Sequence, residues 1–468
     1  MSDELRRVFE RQQAKRWEIA ATGARERVQK LARLRDAIVA RREALGQAMH
    51  QDFRKSAAEV ELTEIHPTLA EIRHTIDHLA EWMRPEKVAT PLTLAGARSE
   101  IRCEPRGVTL ILAPWNYPFY LLFTPLVGAI AAGNTAVLKP SEKTPNTARM
   151  MRELIAATFD ESEVALVEGG PEVAAALLEL PFDHIFFTGS TRIGHIVMAA
   201  AAKHLATVTL ELGGKSPVVV DETADVPVAA ERIAFGKFIN AGQTCVAPDY
   251  ALVHESRERE LVGALQSALS RFYGKSEDDR ARSPDFARII DDAAFRRLKA
   301  MLDATVAGGA TVEAGGRTDE SERYIAPTIL TGVKPDAPAM QEEIFGPILP
   351  VLTFARRADA VRQIRAGGKP LALYVFGDED AADEFVRSTT AGGTCVNNAV
   401  VHLANPDLPF GGVGASGMGS YHGIHGFRAF SHQRAVLVQT MPSLLKLLYP
   451  PYSGKMRAIA AAATRLFE

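Results

Sequence analysis

One cysteine stands apart from the rest of the chain. Cys245 lies in "INAGQTCVAPD" (239–249), among small and polar residues rather than the apolar side chains that usually surround a structural thiol. Cysteine is intrinsically nucleophilic even when only partly ionised. The glycine and alanine before it let backbone come close to a substrate, so the run predicts a flexible polar turn with a reachable sulfur. Asn116, in "PWNYP" (114–118), carries an amide that can donate to a developing oxyanion; the other reading is an ordinary turn residue. Glu211, in "LELGGKSP" (210–217), also has two readings. It suits a general base if burial raises its pKa towards the working pH. It also stands about 20 positions past a glycine loop, where a dinucleotide fingerprint places its ribose carboxylate. Spacing alone does not choose between them.

That loop is "FFTGSTRIG", which follows a strand pattern and opens a helix. A helix N-terminus offers free N–H groups and a positive dipole end to an anion. Gly189, Ser190, Thr191 and Gly194 give G-x-T-x-x-G, without the middle glycine of the usual fingerprint. Lys139 before Pro140 reads as a solvated loop charge or a ligand contact, and Glu343 as a helix-end carboxylate or one. Cys103 and Cys395 read as packing residues, and Gly411, Gly412 and Gly414 as turn glycines. His74 and His78 have a metal-compatible spacing, but no third ligand accompanies them, so no metal site is expected.

The elements that must hold these groups follow from periodicity. In residues 1 to about 84, Leu62, Ile65, Leu69, Ile72, Ile76, Leu79 and Met83 form one apolar helical face, with Pro67 in its first turn or at a kink. From residue 107 strands and helices alternate: "GVTLILAP", "PFYLLFTPLVGAIAAG", "TAVLKP", "TPNTARMMRELIAATF", "HIFFTGS", "TRIGHIVMAAAAKHL" and "TVTLEL". This rhythm predicts a doubly wound parallel sheet, with Asn116, Lys139 and Gly189 beyond the carboxyl ends of its strands. After residue 214, "SPVVVD", "YALVHE", "PILPVLTF", "LALYVFG" and "GGTCVNN" suggest a second α/β unit. Residues 88–106 have β-turn character and are expected to form a small third sheet with "RAVLVQT".

Composition narrows the partners. Hydrophobic residues make up 47% and charged residues 24%, as in an ordinary globular protein. A net charge of −3 and the absence of a long basic run argue against nucleic acid. Three cysteines are too few for a disulfide framework, which fits a reducing, cytoplasmic setting. No apolar signal segment opens the chain. Residues 107–138 carry no charged side chain, but Pro114, Pro118 and Pro125 interrupt them, so no membrane span is expected. The tail, 442–468, is mildly amphipathic and reads as a surface- or partner-packing segment.

Taken in order, "PWNYP", "VLKPSE" (137–142), "FTGSTRIG" (187–194), "LELGGKSP", "NAGQTC" (240–245), "EIFGP" (343–347) and "PFGGVGASGMGSYHG" (409–423) resemble the aldehyde dehydrogenase superfamily across nearly the whole chain. The glycine-rich ending followed by "FRAFSH" is most similar to class 3 and to bacterial coniferyl-aldehyde dehydrogenases. The resemblance implies an α/β fold with a Rossmann-like cofactor domain, a catalytic domain and a small β oligomerisation element. Its implied bounds are 1–87 with 107–212 for NAD(P) binding, 213–412 for catalysis, and 88–106 with 413–441 for bridging; 442–468 remain as the tail. Glu211 takes the general-base role, Cys245 the nucleophile and Asn116 the oxyanion donor. Lys139 and Glu142 are implied at the adenosine ribose, and Gly189, Ser190 and Gly194 at the pyrophosphate. Glu343 is implied at the nicotinamide ribose and Phe345 beside its ring. Trp115, Tyr117 and Val246 are expected to line an aldehyde channel, from their adjacency to the reactive groups.

The implied reaction is NAD(P)-dependent oxidation of an apolar aldehyde, aromatic or medium-to-long aliphatic, through a cysteine thiohemiacetal and thioester. Glu142 favours NAD by hydrogen-bonding a 2′-hydroxyl and repelling a 2′-phosphate, while Lys139 and Lys143 soften that choice enough to tolerate NADP. A homodimer is implied by analogy. Two other readings use the same residues: a cofactor-independent cysteine esterase, and a non-catalytic scaffold with a dead site.

Overall fold

The fold is described from a computed structural model covering residues 2–441, 449–452 and 454–465. Within them the chain builds two largely parallel sheets, a small antiparallel one, and a two-stranded ribbon of Thr318–Asp319 with Tyr324–Ile325. The first sheet runs in the order Gly417–Met418, Thr207–Glu211, His184–Thr188, Val108–Leu112, Thr135–Lys139, Val164–Leu166. All of its pairings are parallel except the one to Gly417–Met418. The second sheet runs Thr311–Ala314, Thr328–Thr331, Ile348–Phe354, Tyr250–His254, Pro217–Val220, Ala372–Phe376, Gly393–Val396, and only its first pairing is antiparallel. Central strands such as Val108–Leu112 and Pro217–Val220 are buried along their whole length, which is why they read as unbroken apolar runs rather than alternating ones.

The connecting helices start and stop where local chemistry dictates. Thr191–His204 opens on Ser190, whose Oγ accepts from the Ile193 amide at 3.4 Å, and closes with Lys203 and His204 at its negative end. Tyr120–Ala132 is apolar on every side and buried throughout, and Gly133 ends it at φ 89. A Cβ there would lie 2.4 Å from the Arg27 guanidinium, so both conformation and space call for glycine.

Strands Glu86–Val88, Ala97–Pro105 and Ser431–Gln439 form the antiparallel third sheet. Two expectations are corrected here. Gly417–Met418, expected with the bridging element, instead extends the edge of the first sheet and pairs Gly417 with Glu211. The helical face in residues 62–83 also slips phase. A π turn over Glu61–Ile65 inserts a residue, so Leu62 is 67% exposed while Glu64 is buried. Several short strands, including Val164–Leu166 and Thr328–Thr331, were not signalled, being too short to show a period. Helix Gly454–Arg465 lies in the tail, but residues 442–448, where much of its apolar pattern falls, are outside the described residues. No helix among the described residues is long and apolar enough to cross a membrane.

Candidate active site

Strand ends deliver the reactive groups, as the order of the first sheet requires. Asn116 follows Val108–Leu112, Lys139 closes its strand, Gly189 follows His184–Thr188, and Glu211 ends Thr207–Glu211. Cys245 comes from the second unit, after the helix Val226–Phe238 and a tight turn.

That turn is neither flexible nor exposed, contrary to expectation. Asn240, Ala241, Gly242, Gln243 and Thr244 are all buried, and Cys245 alone keeps partial exposure. Asn240 and Ala241 sit in the left-handed region at φ 53 and 52, which costs each about 1–2 kcal/mol. Hydrogen bonds hold the strain in place. Asn240 Nδ2 donates to the Asn116 carbonyl at 2.8 Å and to the Gln243 carbonyl at 3.1 Å. Gln243 Nε2 donates to the Asn240 and Arg288 carbonyls, and its Oε1 accepts from the Ile290 amide. Gly242 has φ 75, and a Cβ on it would come within 2.3 Å of the Gly346 carbonyl oxygen, so the nucleophile turn lies against the "EIFGP" segment. A run rich in small and polar residues reads as flexible only while its partners are out of view.

Asn116 Nδ2 donates to the Gln243 carbonyl at 3.0 Å, which fixes the amide beside the nucleophile turn and leaves its second N–H. Asn116 Oδ1 is buried without a partner. The backbone N–H groups of Cys245 and Val246 lie against the sulfur and favour its thiolate. Burial works against them, and with Glu343 and Glu211 facing the sulfur it pushes the thiol up to about 12. Glu211 is 2% exposed and neither carboxylate oxygen has a hydrogen-bond partner. Burial therefore holds its carboxyl well above the usual range.

On the other flank, Glu343 packs so closely on Gly213 that a Cβ there would lie 2.1 Å from Oε2. Its carboxyl is pushed up to about 8 by burial and by Asp249, with the Gly214 N–H and Lys215 opposing. Lys215 bonds Asp249 at 2.5 Å and the Ala339 and Glu342 carbonyls, while Asp249 accepts from the Ile344 amide; this cluster fixes the loop carrying Glu343 and Phe345. Lys139 is buried, donates to the Pro140 carbonyl at 2.8 Å and approaches Glu142 at 3.5 Å. The loop glycines are closely packed by neighbouring side chains. A Cβ at Gly189 would lie 2.5 Å from the Phe187 ring, and one at Gly194 2.7 Å from Leu212. The residues fit a dinucleotide: a helix N-terminus whose side-chain cap is a single long bond to Ser190, a buried amine beside a half-exposed carboxylate, and an unpartnered Thr188 Oγ1 at the strand end.

The expected channel residues separate. Trp115 turns towards Phe345, with ring centroids 5.4 Å apart, and lies under Lys143 Nζ at 5.8 Å. Tyr117 faces the other way, its hydroxyl 2.6 Å from Thr244 Oγ1. Val246 is not an open wall: its side chain is in the main core and its carbonyl accepts from the Tyr374 hydroxyl. Neighbours in sequence point to different sides because the strand-to-helix turn reverses the chain between them. Sequence reading passed over Lys237, which is fully buried beside Asp249, Lys215 and Glu343 with no hydrogen-bond partner for Nζ; burial lowers it to about 8. Its signal was a charge set among apolar residues and glycine in "IAFGKF", at the end of its helix.

Comparisons with known proteins agree with this arrangement. The profile of the aldehyde dehydrogenase family matches residues 2–436. The chain is 48% identical over 436 residues to a 4,4'-diaponeurosporen-aldehyde dehydrogenase of Staphylococcus aureus, covering 93% of this chain and 94% of that one. It is 47% identical over 417 residues to the human aldehyde dehydrogenase family 3 member B1, covering 88% and 87%. A solved structure of Staphylococcus aureus AldH in a substrate-bound state superposes with a TM-score of 0.93 at 46% identity, over 97% of this chain and 98% of that one. The chain thus has the aldehyde dehydrogenase fold, resembles family 3 members, and belongs to the aldehyde dehydrogenase family as an aldehyde-oxidising enzyme.

Proposed function

We propose that this enzyme oxidises an apolar aldehyde to its carboxylic acid with NAD, using Cys245 as nucleophile, Glu211 as base and Asn116 as oxyanion donor. The observation that carries the reading is a single buried bond set. It ties Asn116 to the Cys245 turn through Gln243 and Asn240, and Glu211, buried without a hydrogen-bond partner, is near enough for its charge to raise the thiol.

Sγ attacks the carbonyl carbon, and the thiol proton passes to a neighbouring carboxylate. The oxyanion receives the free N–H of Asn116 and the Cys245 backbone N–H. NAD, when bound, would supply the hydride acceptor. Lys139 and Glu142 would hold the adenosine ribose, the Ser190 helix terminus the pyrophosphate, and Glu343 the nicotinamide ribose. Water then adds to the Cys245 thioester, giving its proton to ionised Glu211, and the C–S bond breaks to release the carboxylic acid and the Cys245 thiolate.

Tyr117, Tyr120 and Leu121 support an apolar substrate, forming a small cluster apart from the two main cores and reaching Thr244 next to Cys245. The Staphylococcus relative, named for a carotenoid-type aldehyde, points the same way. NAD over NADP is supported by Glu142, and by Lys143 being engaged with Asp291 at 2.7 Å rather than free to meet a phosphate. A homodimer is supported by Ser431–Gln439, a nine-residue strand with one edge unpaired among the described residues and Leu437 exposed.

The test is an aldehyde panel, aromatic against aliphatic, assayed with NAD and NADP by absorbance of the reduced cofactor. Turnover with apolar aldehydes and a lower KM for NAD is expected, with loss in Cys245→Ser. Ester cleavage without cofactor reduction, or oxidation surviving in Cys245→Ser, overturns the reading.

A further inference from the structure

The N-terminal helical segment carries three charged groups that face the reactive loops. Lys55 and Glu64 are both 0% exposed and paired at 2.8 Å. Glu64 spends its second oxygen on the amides of Phe119 and Tyr120, at 3.2 and 2.9 Å, which fixes the turn just after Asn116. Lys55 Nζ lies 3.9 Å from the centroid of the Tyr117 ring, whose hydroxyl is 2.6 Å from Thr244 Oγ1, next to Cys245. Glu59 accepts from the amide of strained Asn240 at 2.8 Å.

The π turn makes this possible. Its i→i+5 bond, from the His66 amide to the Glu61 carbonyl, widens the helix so that Glu59 and Glu64, five residues apart, come to one face. In an α-helix they would diverge, since neighbours on a face are three or four apart. A π turn that expels Leu62 and buries a charged pair is a costly device, and such turns mark functional positions.

We infer that Lys55, Glu59 and Glu64 are positioning residues that hold the Asn116 and Cys245 loops in register from a third element. The inference rests on the nucleophile reading above. None of the three touches substrate. Lys55 and Glu64 act through Tyr117, Phe119 and Tyr120, and Glu59 through Asn240. A catalytic group displaced by ~1 Å can lose ~10²-fold in rate.

The test compares two double variants of the full chain, Lys55→Met/Glu64→Leu and Lys55→Met/Glu64→Gln. Glutamine keeps a carbonyl for the Phe119 and Tyr120 amides; leucine does not. Apolar replacement of a buried ion pair often preserves folding, checked here by circular dichroism. Two rates are read: kcat for aldehyde oxidation, and iodoacetamide alkylation of Cys245 resolved by mass spectrometry against Cys103 and Cys395. For the leucine variant kcat and alkylation should each fall about a hundredfold with KM for NAD unchanged, and the glutamine variant should recover most of both. A folded leucine variant with wild-type rates overturns the proposal, as does equal loss in both variants. If the leucine variant does not fold, Tyr117→Phe decides: slower alkylation supports the linkage and an unchanged rate overturns it. Alkylation needs no aldehyde, so failure of the oxidation assay alone would strike the proposed function and leave this inference readable.

Discussion

Replacing Asn116 by alanine separates the amide's catalytic task from its structural one, because the structure gives the two different partners. The variant loses the 3.0 Å bond to the Gln243 carbonyl, yet that carbonyl keeps the 3.1 Å bond from Asn240 Nδ2. The Asn116 carbonyl is backbone and still accepts from Asn240 at 2.8 Å. One neutral hydrogen bond is worth about 1 kcal/mol net. Its loss is offset by removing the buried, unpartnered Oδ1, which carries a penalty of about 1–3 kcal/mol. Net stability should therefore lie between unchanged and a gain of about 2 kcal/mol, with no loss of Tm. Transition-state stabilisation should fall by about 2.7–4 kcal/mol, or 10²–10³ in kcat. The assay is steady-state oxidation of one aldehyde beside a thermal unfolding curve, with alkylation of Cys245 as a check on the turn. A fall in kcat below tenfold, or one matched by an equal loss of folded protein, would refute the assignment of Asn116 as an oxyanion donor.

Two further outcomes follow from the site. Glu211→Gln should form the acyl-enzyme in a single burst and then stall, read by rapid quench. In the wild type hydrolysis should rise with pH above the ordinary carboxyl range, because the raised carboxyl ionises late. The folded protein holds a proton there that the unfolded chain gives up near its ordinary carboxyl pKa. Stability is thus full below that value and falls as pH rises towards the folded one; Glu59 and Glu71, near 7, and Glu343, near 8, add slopes of the same sign. Glu211→Gln should flatten part of that slope and raise Tm at neutral pH; an unchanged slope would contradict an unpartnered carboxyl. Gly213→Ala puts a Cβ 2.1 Å from Glu343 Oε2, a contact only Glu343 can relieve by moving. NAD affinity by fluorescence titration should weaken at least tenfold while Cys245 alkylation stays near wild type, and equal NAD affinity would remove Glu343 from the cofactor site.

Much of this protein was legible without coordinates because its information is local. Unbroken apolar runs announced the buried parallel strands, the run "FFTGSTRIG" announced a strand-to-helix turn, and the order of the motifs announced the family. Candidates for nucleophile, oxyanion donor and base were also readable, since each residue type narrows the chemistry. The sequence determined which groups were available and which strand ends would present them. Tertiary structure decided their state. The turn before Cys245 reads as mobile in one dimension and is rigid in three, because Asn116, Arg288 and Ile290 bond it from distant segments. Trp115 and Tyr117 part company across a chain reversal that no period records. The Lys55–Glu64 pair was invisible for a related reason. One inserted helical residue shifted the face by a position, and a face is defined only by what packs against it. Burial, the quantity that sets the ionisation of Glu211 and Cys245, belongs to the whole fold and to no stretch of it.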